Sequence, residues 1–428
     1  MNLLDALPDS WIKASVSKYC DVRLGKMLQN DPSSDRDELK PYLRAINIAK
    51  TGLDLAHDFS MWITPAEKDR FRLAKGDILV SEGGDAGRTA VFDSEREYYF
   101  QNAINRVWPA ATELIVPEFI YYWFTFLKVA GYVEMVCNVA TIPHFTAEKV
   151  KAAPLALPPL ETQRRIAQFL DEKTAQIDGL IDKKRALLER LAEKRQALIT
   201  RTVTNGLNPS APMKPTGIDW LGDIPAHWEV LPVKRVAKLE SGHAPDKKID
   251  AYWDDCEIPW VSLNDTAILR AADYISDTTY KINELGLANS SARLLPARAV
   301  VFTRDATIGE SAITTRPMAV SQHIIAWLCD DSRVIPEYLL FAIYGMRGEL
   351  LRLTNGSTIG TIGMGDVKSI RMALPPIAEQ NQIVAAIVKA KDSLDNIVGL
   401  ANRSIERLIE YRAALVSSAV TGQIEGLR

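Results

Sequence analysis

The stretch VKAAPLALPPLETQRRIAQFLDEKTAQIDGL at residues 150–180 returns as VKSIRMALPPIAEQNQIVAAIVKAKDSLDNI at residues 367–397. The similarity continues to residues 204 and 421 without a gap, so that each residue lies 217 positions before its counterpart. Two unrelated helices rarely keep one register over such a length, and a long internal repeat decides the architecture of a chain. The sequence therefore predicts a fold built from two copies of one unit.

The repeat also reaches the start of the chain, where PDSW at residues 8–11 matches PAHW at residues 225–228. Between these anchors the similarity is weak and needs gaps. GDILVSEGGDAGRTAV, which ends at Val91, still resembles RAVVFTRDATIGESAI, which ends at Ile313. We therefore predict the order A–B–A′–B′. The A units occupy residues 1–155 and 215–372, and the B units occupy residues 156–210 and 373–428.

The B units have the pattern of long helices. Leu-Pro-Pro marks each start, because proline disfavours helix before it and is tolerated in a first turn. Apolar residues then recur with spacings of three and four, which predicts a coiled coil of about 40 residues, roughly 60 Å long. A second apolar stripe widens this face, and the alternative is that each helix packs only on its own A unit. The predicted seam comprises Ile166, Leu170, Ile177, Leu180, Leu187, Leu191 and Leu198, and Ile383, Ile387, Leu394, Ile397, Leu408 and Leu415.

The A units have the pattern of α+β domains. Short β-type runs such as residues 77–80, 299–302 and 324–328 are punctuated by turns and followed by amphipathic stretches. The glycine-rich segment 83–88 resembles a phosphate-binding loop only in part. It lies between two strand-like runs and not before a helix, which favours a hairpin turn.

Composition limits the possible functions. The 428 residues carry a net charge of −3, and the four cysteines are far apart, which argues against a disulfide scaffold and a structural zinc site. No metal-ligand spacing and no catalytic constellation is apparent. The apolar stretch at residues 119–137 contains Lys128 and Glu134, so we expect a buried helix and not a membrane span. No secretory signal is visible, and we expect a cytoplasmic protein.

These features together resemble the specificity subunits of type I restriction–modification systems, the HsdS family. The resemblance covers essentially the whole chain. It rests on the two Leu-Pro-Pro segments with the helices after them, on the Pro-x-x-Trp starts, and on IPWVSLND from Ile258, RDATIGESAI from Arg304 and NGSTIGTIGMGDVKSI from Asn355. The most specific sign is the order of a variable A unit, or head, followed by a helical B unit, which occurs twice.

The resemblance implies a fold, a function and partners. The fold is two α/β target-recognition domains, each reading half of a split double-stranded DNA site, separated by two helices that pair antiparallel with pseudo-twofold symmetry. The chain would hold no catalytic residue, metal or cofactor. Two methyltransferase subunits would bind S-adenosylmethionine, and restriction or motor subunits, in a complex that cleaves DNA, would bind ATP and Mg²⁺. Such a chain acts in defence and contacts no membrane.

Polar side chains on paired loops are the candidates for DNA contact, because base edges are read by hydrogen-bonding groups. Neither A unit has a net positive charge, which is unusual for a DNA-binding domain. The candidates of the first A unit are Arg44, Asn47, Ser81, Arg88, Gln101, Asn102, Thr141 and His144. Those of the second are Ser262, Asn264, Arg304, Thr307, Gln322, His323, Ser357 and Thr358.

Two other functions stay open on the sequence alone. A self-contained restriction or modification enzyme would need a cofactor pocket that no motif indicates. A coiled-coil scaffold without a nucleic-acid role would explain the B helices, but not two diverged heads rich in loops.

Overall fold

The computed structural model describes residue 4 and residues 7–49, 52–56, 59–110, 113–137, 143–355 and 360–427, with only the backbone of Asn355. The chain forms two compact units. Met1–Arg185 and Ala401–Arg428 make the first unit, and Ala186–Leu400 makes the second. Short 3₁₀ turns occur at Val16–Lys18, Ala45–Asn47, Val233–Arg235, Asp250–Tyr252, Leu263–Asp265 and Glu425–Leu427.

The first unit contains a four-stranded sheet in the order β2-β10-β7-β8 and a three-stranded sheet in the order β6-β3-β9. Two-stranded pairs β1-β11 and β4-β5 complete it. The strands are β1 Ile12–Ser15, β2 Cys20–Leu24, β3 Glu38–Leu43, β4 Ile48–Ala49, β5 Gly52–Leu53, β6 Phe59–Ile63, β7 Ile78–Ser81, β8 Thr89–Val91, β9 Tyr99–Phe100, β10 Ile104–Pro109 and β11 Pro154–Leu157. The helices are α1 Lys68–Phe71, α2 Pro117–Val129, α3 Tyr132–Val136, α4 Ala147–Ala152 and the long α5 Leu160–Asn205.

The second unit repeats this topology. Its larger sheet has the order β15-β23-β20-β21-β17, and a four-stranded sheet has the order β18-β16-β22-β19. Two-stranded pairs β12-β13, β14-β26 and β24-β25 complete it. The strands are β12 Met213–Pro215, β13 Asp223–Pro225, β14 Glu229–Pro232, β15 Ala237–Ser241, β16 Ile258–Val261, β17 Tyr274–Ile275, β18 Lys281–Ile282, β19 Leu294–Leu295, β20 Val300–Thr303, β21 Ser311–Thr314, β22 Met318–Val320, β23 Ile324–Cys329, β24 Thr354–Asn355, β25 Thr361–Ile362 and β26 Arg371–Leu374. The helices are α6 Thr266–Ala271, α7 Glu284–Ala288, α8 Pro336–Gly345, α9 Arg347–Arg352, α10 Met364–Ser369 and the long α11 Ile377–Val420.

The common strand order confirms the duplicated α+β architecture. Strands β2-β10-β7-β8 correspond to β15-β23-β20-β21, and in each unit a parallel pair, β3-β9 or β16-β22, lies beside them. The apolar stretch at residues 119–137 forms most of α2 and all of α3. It packs into the core of the first unit through Phe119, Trp123 and Leu127. Among the described residues, no helix is both long and apolar enough to cross a membrane.

The long helices pair antiparallel within each unit. In the first unit Arg412 Nε donates a hydrogen bond of 3.0 Å to Asp178 Oδ1, and in the second Arg195 Nη1 donates one of 3.0 Å to Asp395 Oδ1. The two aspartates are counterparts in the repeat, and so are the two arginines. Each unit therefore uses the same ion pair of the repeat.

The predicted seam was correct at one of its two heptad positions, and at the other it was correct only at Ile166 and Ile383. Ile177, Leu191 and Leu394 are buried, but Leu180, Leu187 and Ile397 are 47%, 42% and 43% exposed. The spacings of three and four allowed two registers that differ by one residue. In the neighbouring stripe Ile181 is buried, and Leu188, Val398 and Ile405 are half-buried. Ile166, Leu170, Ile383 and Ile387 are buried as predicted, while Leu198, Leu408 and Leu415 are half-buried.

Each long helix ends on a glycine against a tryptophan of the Pro-x-x-Trp motif. Gly422 has φ of 70°, and a Cβ placed there would lie 2.9 Å from Trp11 Cζ2. Gly206 has φ of 69°, and a Cβ there would lie 3.0 Å from Trp228 Cζ2. Glycine is required at both sites for a left-handed helix terminus and for close packing.

We expect Gly422→Ala to lower the free energy of unfolding of the first unit by about 1–3 kcal/mol. Alanine is strained at this φ, and its methyl group would collide with the indole of Trp11. Urea denaturation would measure the change. Gly426→Ala is the control, because no atom lies within 4 Å of the added Cβ and its φ is not in the left-handed region. Equal stability of both variants would contradict this role of Gly422.

Candidate nucleic-acid interface

Loop side chains of the second unit gather around one buried carboxylate. Neighbouring strands β20 and β23 bring the residues after Thr303 beside those before Ile324. Asp305 Oδ2 lies 2.6 Å from His323 Nδ1 and 3.6 Å from Arg304 Nε. Gln322 Nε2 in turn lies 3.1 Å from His323 Nε2. Three candidates from two predicted loops, Arg304 from one and Gln322 and His323 from the other, thus form one polar cluster.

Two further candidates line the same side of this head. Thr307 Oγ1 lies 3.2 Å from Thr266 Oγ1, in the turn between β20 and β21. The exposed side chain of Asn264 lines a cavity of about 620 Å³ together with Gln322 and His323. The loops between β20 and β21, before β23 and after β16 therefore meet.

Ion pairs stabilise the corresponding hairpin of the first unit. Segment 83–88 connects the antiparallel strands β7 and β8, as the hairpin prediction required. Asp85 forms ion pairs with Arg88, whose Nε lies 3.1 Å from Oδ2, and with Lys128, whose Nζ lies 2.7 Å from Oδ1. A Cβ at Gly83 would lie 3.5 Å from the exposed ring of His144. The arrangement brings Arg88, Lys128 and His144 to the region of one turn.

The other described candidates of the first unit differ in accessibility. Gln101 and Asn102 lie between β9 and β10 and are half-buried, and their backbone N–H groups donate to Leu43 and Lys26. Arg44 is exposed, with its guanidinium 4.8 Å from the centre of the Phe59 ring. A planar cation held over an aromatic ring remains available to a base or a phosphate.

Three candidates are structural. Asn47, Ser81 and Ser262 are buried, and each uses its side chain to stabilise a local turn. Asn47 Oδ1 accepts the backbone N–H of Arg44 at 2.8 Å, Ser81 Oγ donates to Asp85 O at 2.6 Å, and Ser262 caps the turn at Leu263–Asp265. We therefore remove these three from the proposed DNA-contacting set. Thr141, Ser357 and Thr358 lie outside the described residues.

Sequence reasoning missed a pair of glycines that supports these loops. A Cβ at Gly25 would lie 2.2 Å from the carbonyl oxygen of Gln101, and one at Gly242 would lie 1.7 Å from that of Val320. Only glycine allows the end of β2 or β15 to approach the backbone that closely. The two glycines are 217 positions apart, so the repeat itself contained the signal.

The described residues offer no obvious chemistry of their own. No group of three His, Cys, Asp or Glu side chains among them is placed to hold a metal ion. Burial raises the pKa of Cys20 and of Cys329 to about 12, which keeps both thiols protonated and unreactive. Burial also raises the pKa of Glu82, beside His144. The described site thus consists of polar loop side chains beside helices that pair within each unit.

A family profile described as "Type I restriction modification DNA specificity domain" matches residues 20–190 and 225–408. The chain belongs to this family. The two matched segments are the two copies of the internal repeat, so that the chain carries the specificity domain twice.

Relatives in this specificity family are similar over part or most of the chain. The MjaIX specificity subunit of Methanocaldococcus jannaschii is 29% identical over 41% of this chain and 40% of its own length. The chain thus spans about two fifths of that relative. The type I restriction enzyme HindI specificity subunit of Haemophilus influenzae is 21% identical over 82% of this chain and 87% of its own length.

Solved structures share the fold of the specificity family. One chain, from a study described as "Structural basis underlying complex assembly and conformational transition of the type I R-M system", has a TM-score of 0.73 and 16% identity. It covers 98% of this chain and 99% of its own. The HsdS subunit of Thermoanaerobacter tengcongensis has a TM-score of 0.53 and 17% identity, with 98% of both chains covered. At these identities the likeness concerns the fold alone.

Proposed function

We propose that this chain is the DNA-specificity subunit of a type I restriction–modification complex, directing the reaction without performing it. The observation that carries the proposal is the repeated head. Two α+β heads share one strand order but present different side chains on equivalent loops, and each is attached to the same pair of helices. Such a chain suits a split DNA site with two different halves. The proposed boundaries remain residues 1–155 and 215–372 for the target-recognition domains, with 156–210 and 373–428 for the helices.

The proposed DNA-contacting set consists of the candidates whose side chains are not confined to a turn. Since neither head is basic overall, we expect these side chains to read bases while partner subunits provide many phosphate contacts. The set is Arg44, Arg88, Gln101, Asn102, His144, Asn264, Arg304, Thr307, Gln322 and His323, with Thr141, Ser357 and Thr358 outside the described part of the chain.

The exposed apolar residues of the helices support a second interface. In the first unit Leu180, Ile409 and Tyr411 face solvent, and in the second Leu187, Val388, Ile397 and Leu400 do so. Large apolar side chains on a helix surface are typical of protein interfaces. We propose that they bind two methyltransferase subunits carrying S-adenosylmethionine, with motor subunits that use ATP and Mg²⁺ in a cleaving complex, in the cytoplasm.

Mapping DNA methylation in the host, with the gene present and deleted, tests this function. We expect deletion to abolish one split motif with methyladenine on both strands. The double substitution Arg304→Ala and Gln322→Ala removes base contacts that contribute roughly 1–3 kcal/mol each. Methylation should therefore fall about tenfold or more, with recognition weakened at one half-site only.

The first unit provides the reciprocal control. Arg88→Ala with Gln101→Ala should relax recognition of the opposite half-site only. A methylation pattern that is unchanged by gene deletion would contradict the proposed function. Loss of recognition at both halves from one double substitution would contradict the assignment of one half-site to each head.

A further inference from the structure

The second unit contains an aromatic cavity that reading base edges in a groove does not explain. Its volume is about 620 Å³, within the range typical of small-molecule sites. Trp253 and Trp260 meet edge to face in its wall, with ring centres 5.7 Å apart. Tyr280 lines the cavity and is 51% exposed. Three aromatic side chains thus line a space that is open to solvent, with Trp260 only 5% exposed.

The indole rings offer the cavity only their apolar surfaces. Trp260 Nε1 donates to the carbonyl oxygen of His243 at 3.2 Å, and Trp253 Nε1 donates to that of Asp246 at 3.2 Å. Since both indole N–H groups are used within the unit, neither needs a ligand. The rings are left for stacking and dispersion contacts, which suit a flat, unsaturated group.

Hydrogen-bonding groups in the cavity wall are not all used. Among the residues that the structure describes, Gln322 Oε1 and Ser321 Oγ are buried without a hydrogen-bond partner. Both residues line the cavity, and Ser321 is only 1% exposed. A buried acceptor without a donor is unfavourable, so the site calls for a ligand with N–H groups at its edge. The exposed Lys247 adds a cation at the same cavity.

We propose that this cavity receives one unstacked nucleobase, turned out of the target duplex, and holds it between the aromatic rings. The inference rests on the proposed function, which brings DNA to this head. A nucleobase is flat, stacks on aromatic side chains and carries N–H groups on its pairing edge, as the cavity demands. The Gln322 acceptor favours a base with a donating exocyclic amine, which adenine, cytosine and guanine have and thymine lacks. This second unit would therefore recognise one position by extrusion and not by groove contact.

A mismatch scan tests the proposal, because a base that is already unpaired costs less to extrude. The probe is a set of duplexes, each with one mismatch in the half-site read by the second unit. The complex of the full chain with its methyltransferase subunits is titrated with each duplex. Methyltransferases extrude their own target base, so tighter binding is expected at the methylated adenine in any case. The cavity predicts a second position at which a mismatch strengthens binding, by about tenfold.

Matched variants assign that second position to the cavity. Tyr280→Leu should abolish the gain there and leave the gain at the methylated adenine, while Tyr280→Phe should retain both. Tyr274→Leu is the control, because Tyr274 is similarly exposed, at 49%, and lies outside the lining. A gain that persists in Tyr280→Leu, or the absence of any second position, would overturn the proposal.

A free nucleotide carries the same flat base with N–H groups, and it is the alternative ligand for this cavity. If dAMP or dCMP quenches the tryptophan fluorescence of the full chain, and no second position is found at which a mismatch strengthens binding, the cavity binds a free nucleotide. That result would overturn the proposal that it receives a base from the DNA. A complex that prefers no duplex sequence at all would instead contradict the proposed function itself. The failures of the two proposals are therefore distinct.

Discussion

Replacement of Gln380 by leucine is expected to lower the free energy of unfolding of the second unit by about 3–5 kcal/mol. The side chain is fully buried, and Oε1 accepts the backbone N–H of Ile335 at 3.0 Å. Nε2 donates to the carbonyl oxygens of Arg333 at 2.8 Å and Pro375 at 2.9 Å. Leucine would leave all three backbone groups without this hydrogen-bond partner, at the junction of the head and the helix.

The repeat provides an internal replicate of this experiment. Gln163 accepts from Val116 at 3.0 Å and donates to Leu114 at 3.0 Å and Pro158 at 2.9 Å. Gln163→Leu should therefore destabilise the first unit as strongly. Urea denaturation followed by tryptophan fluorescence measures both. The exposed Gln382 and Gln168 serve as controls, and their replacement by leucine should change stability by less than about 0.5 kcal/mol. A loss under about 1 kcal/mol for the buried glutamines would refute this role.

Deletion of seven residues from both long helices is expected to shift DNA recognition to a site with a shorter gap. Helices α5 and α11 each contribute residues to both units. One heptad corresponds to about 10 Å of helix, or roughly three base pairs. Residues 184–190 and 400–406 are suitable deletions, because they lie between the two ion pairs on both helices. The original split site should be lost, and a site with the shorter gap should be methylated.

The ion pairs determine which deletions are compatible with folding. On each helix the paired side chains are 17 residues apart, from 178 to 195 and from 395 to 412. The double deletion shortens both intervals equally, so both ion pairs can form. A deletion in α5 alone makes the intervals unequal, and we expect it to prevent site-specific methylation. Unchanged recognition after the double deletion would contradict the proposal that the helices set the gap.

The repeat made the architecture predictable from sequence, and the helix register was the part that it left ambiguous. Strands β7, β20 and β23 form where short β-type runs were noted, because those runs are bounded by turns. The seam was misplaced at Leu180, Leu187 and Ile397 because both stripes on the helix are apolar. Burial depends on which stripe the neighbouring helix and head cover, and a single sequence does not encode that choice locally.

The candidate site was predictable in its loops but not in its individual side chains. Pairing equivalent loops selected Arg304, Gln322 and His323, which the fold brings together. The same reasoning also selected Asn47, Ser81 and Ser262, because residues that close a turn and residues that read a base are of the same polar types. The aromatic cavity escaped notice, because only Trp260 lies in a quoted segment, IPWVSLND, while Trp253 and Tyr280 lie outside every motif that was compared.

The contact between Trp11 and Gly422 has a consequence for the order in which the segments are encoded. Leu4 and Leu427 pack against one core, and Trp228 holds Gly206 in the same way as Trp11 holds Gly422. A circular permutant in which a short linker joins residue 427 to residue 4, with new termini after Gly206, would break no core strand or long helix. Gene rearrangements that exchange the two halves would then preserve the folded protein while reversing which head is translated first.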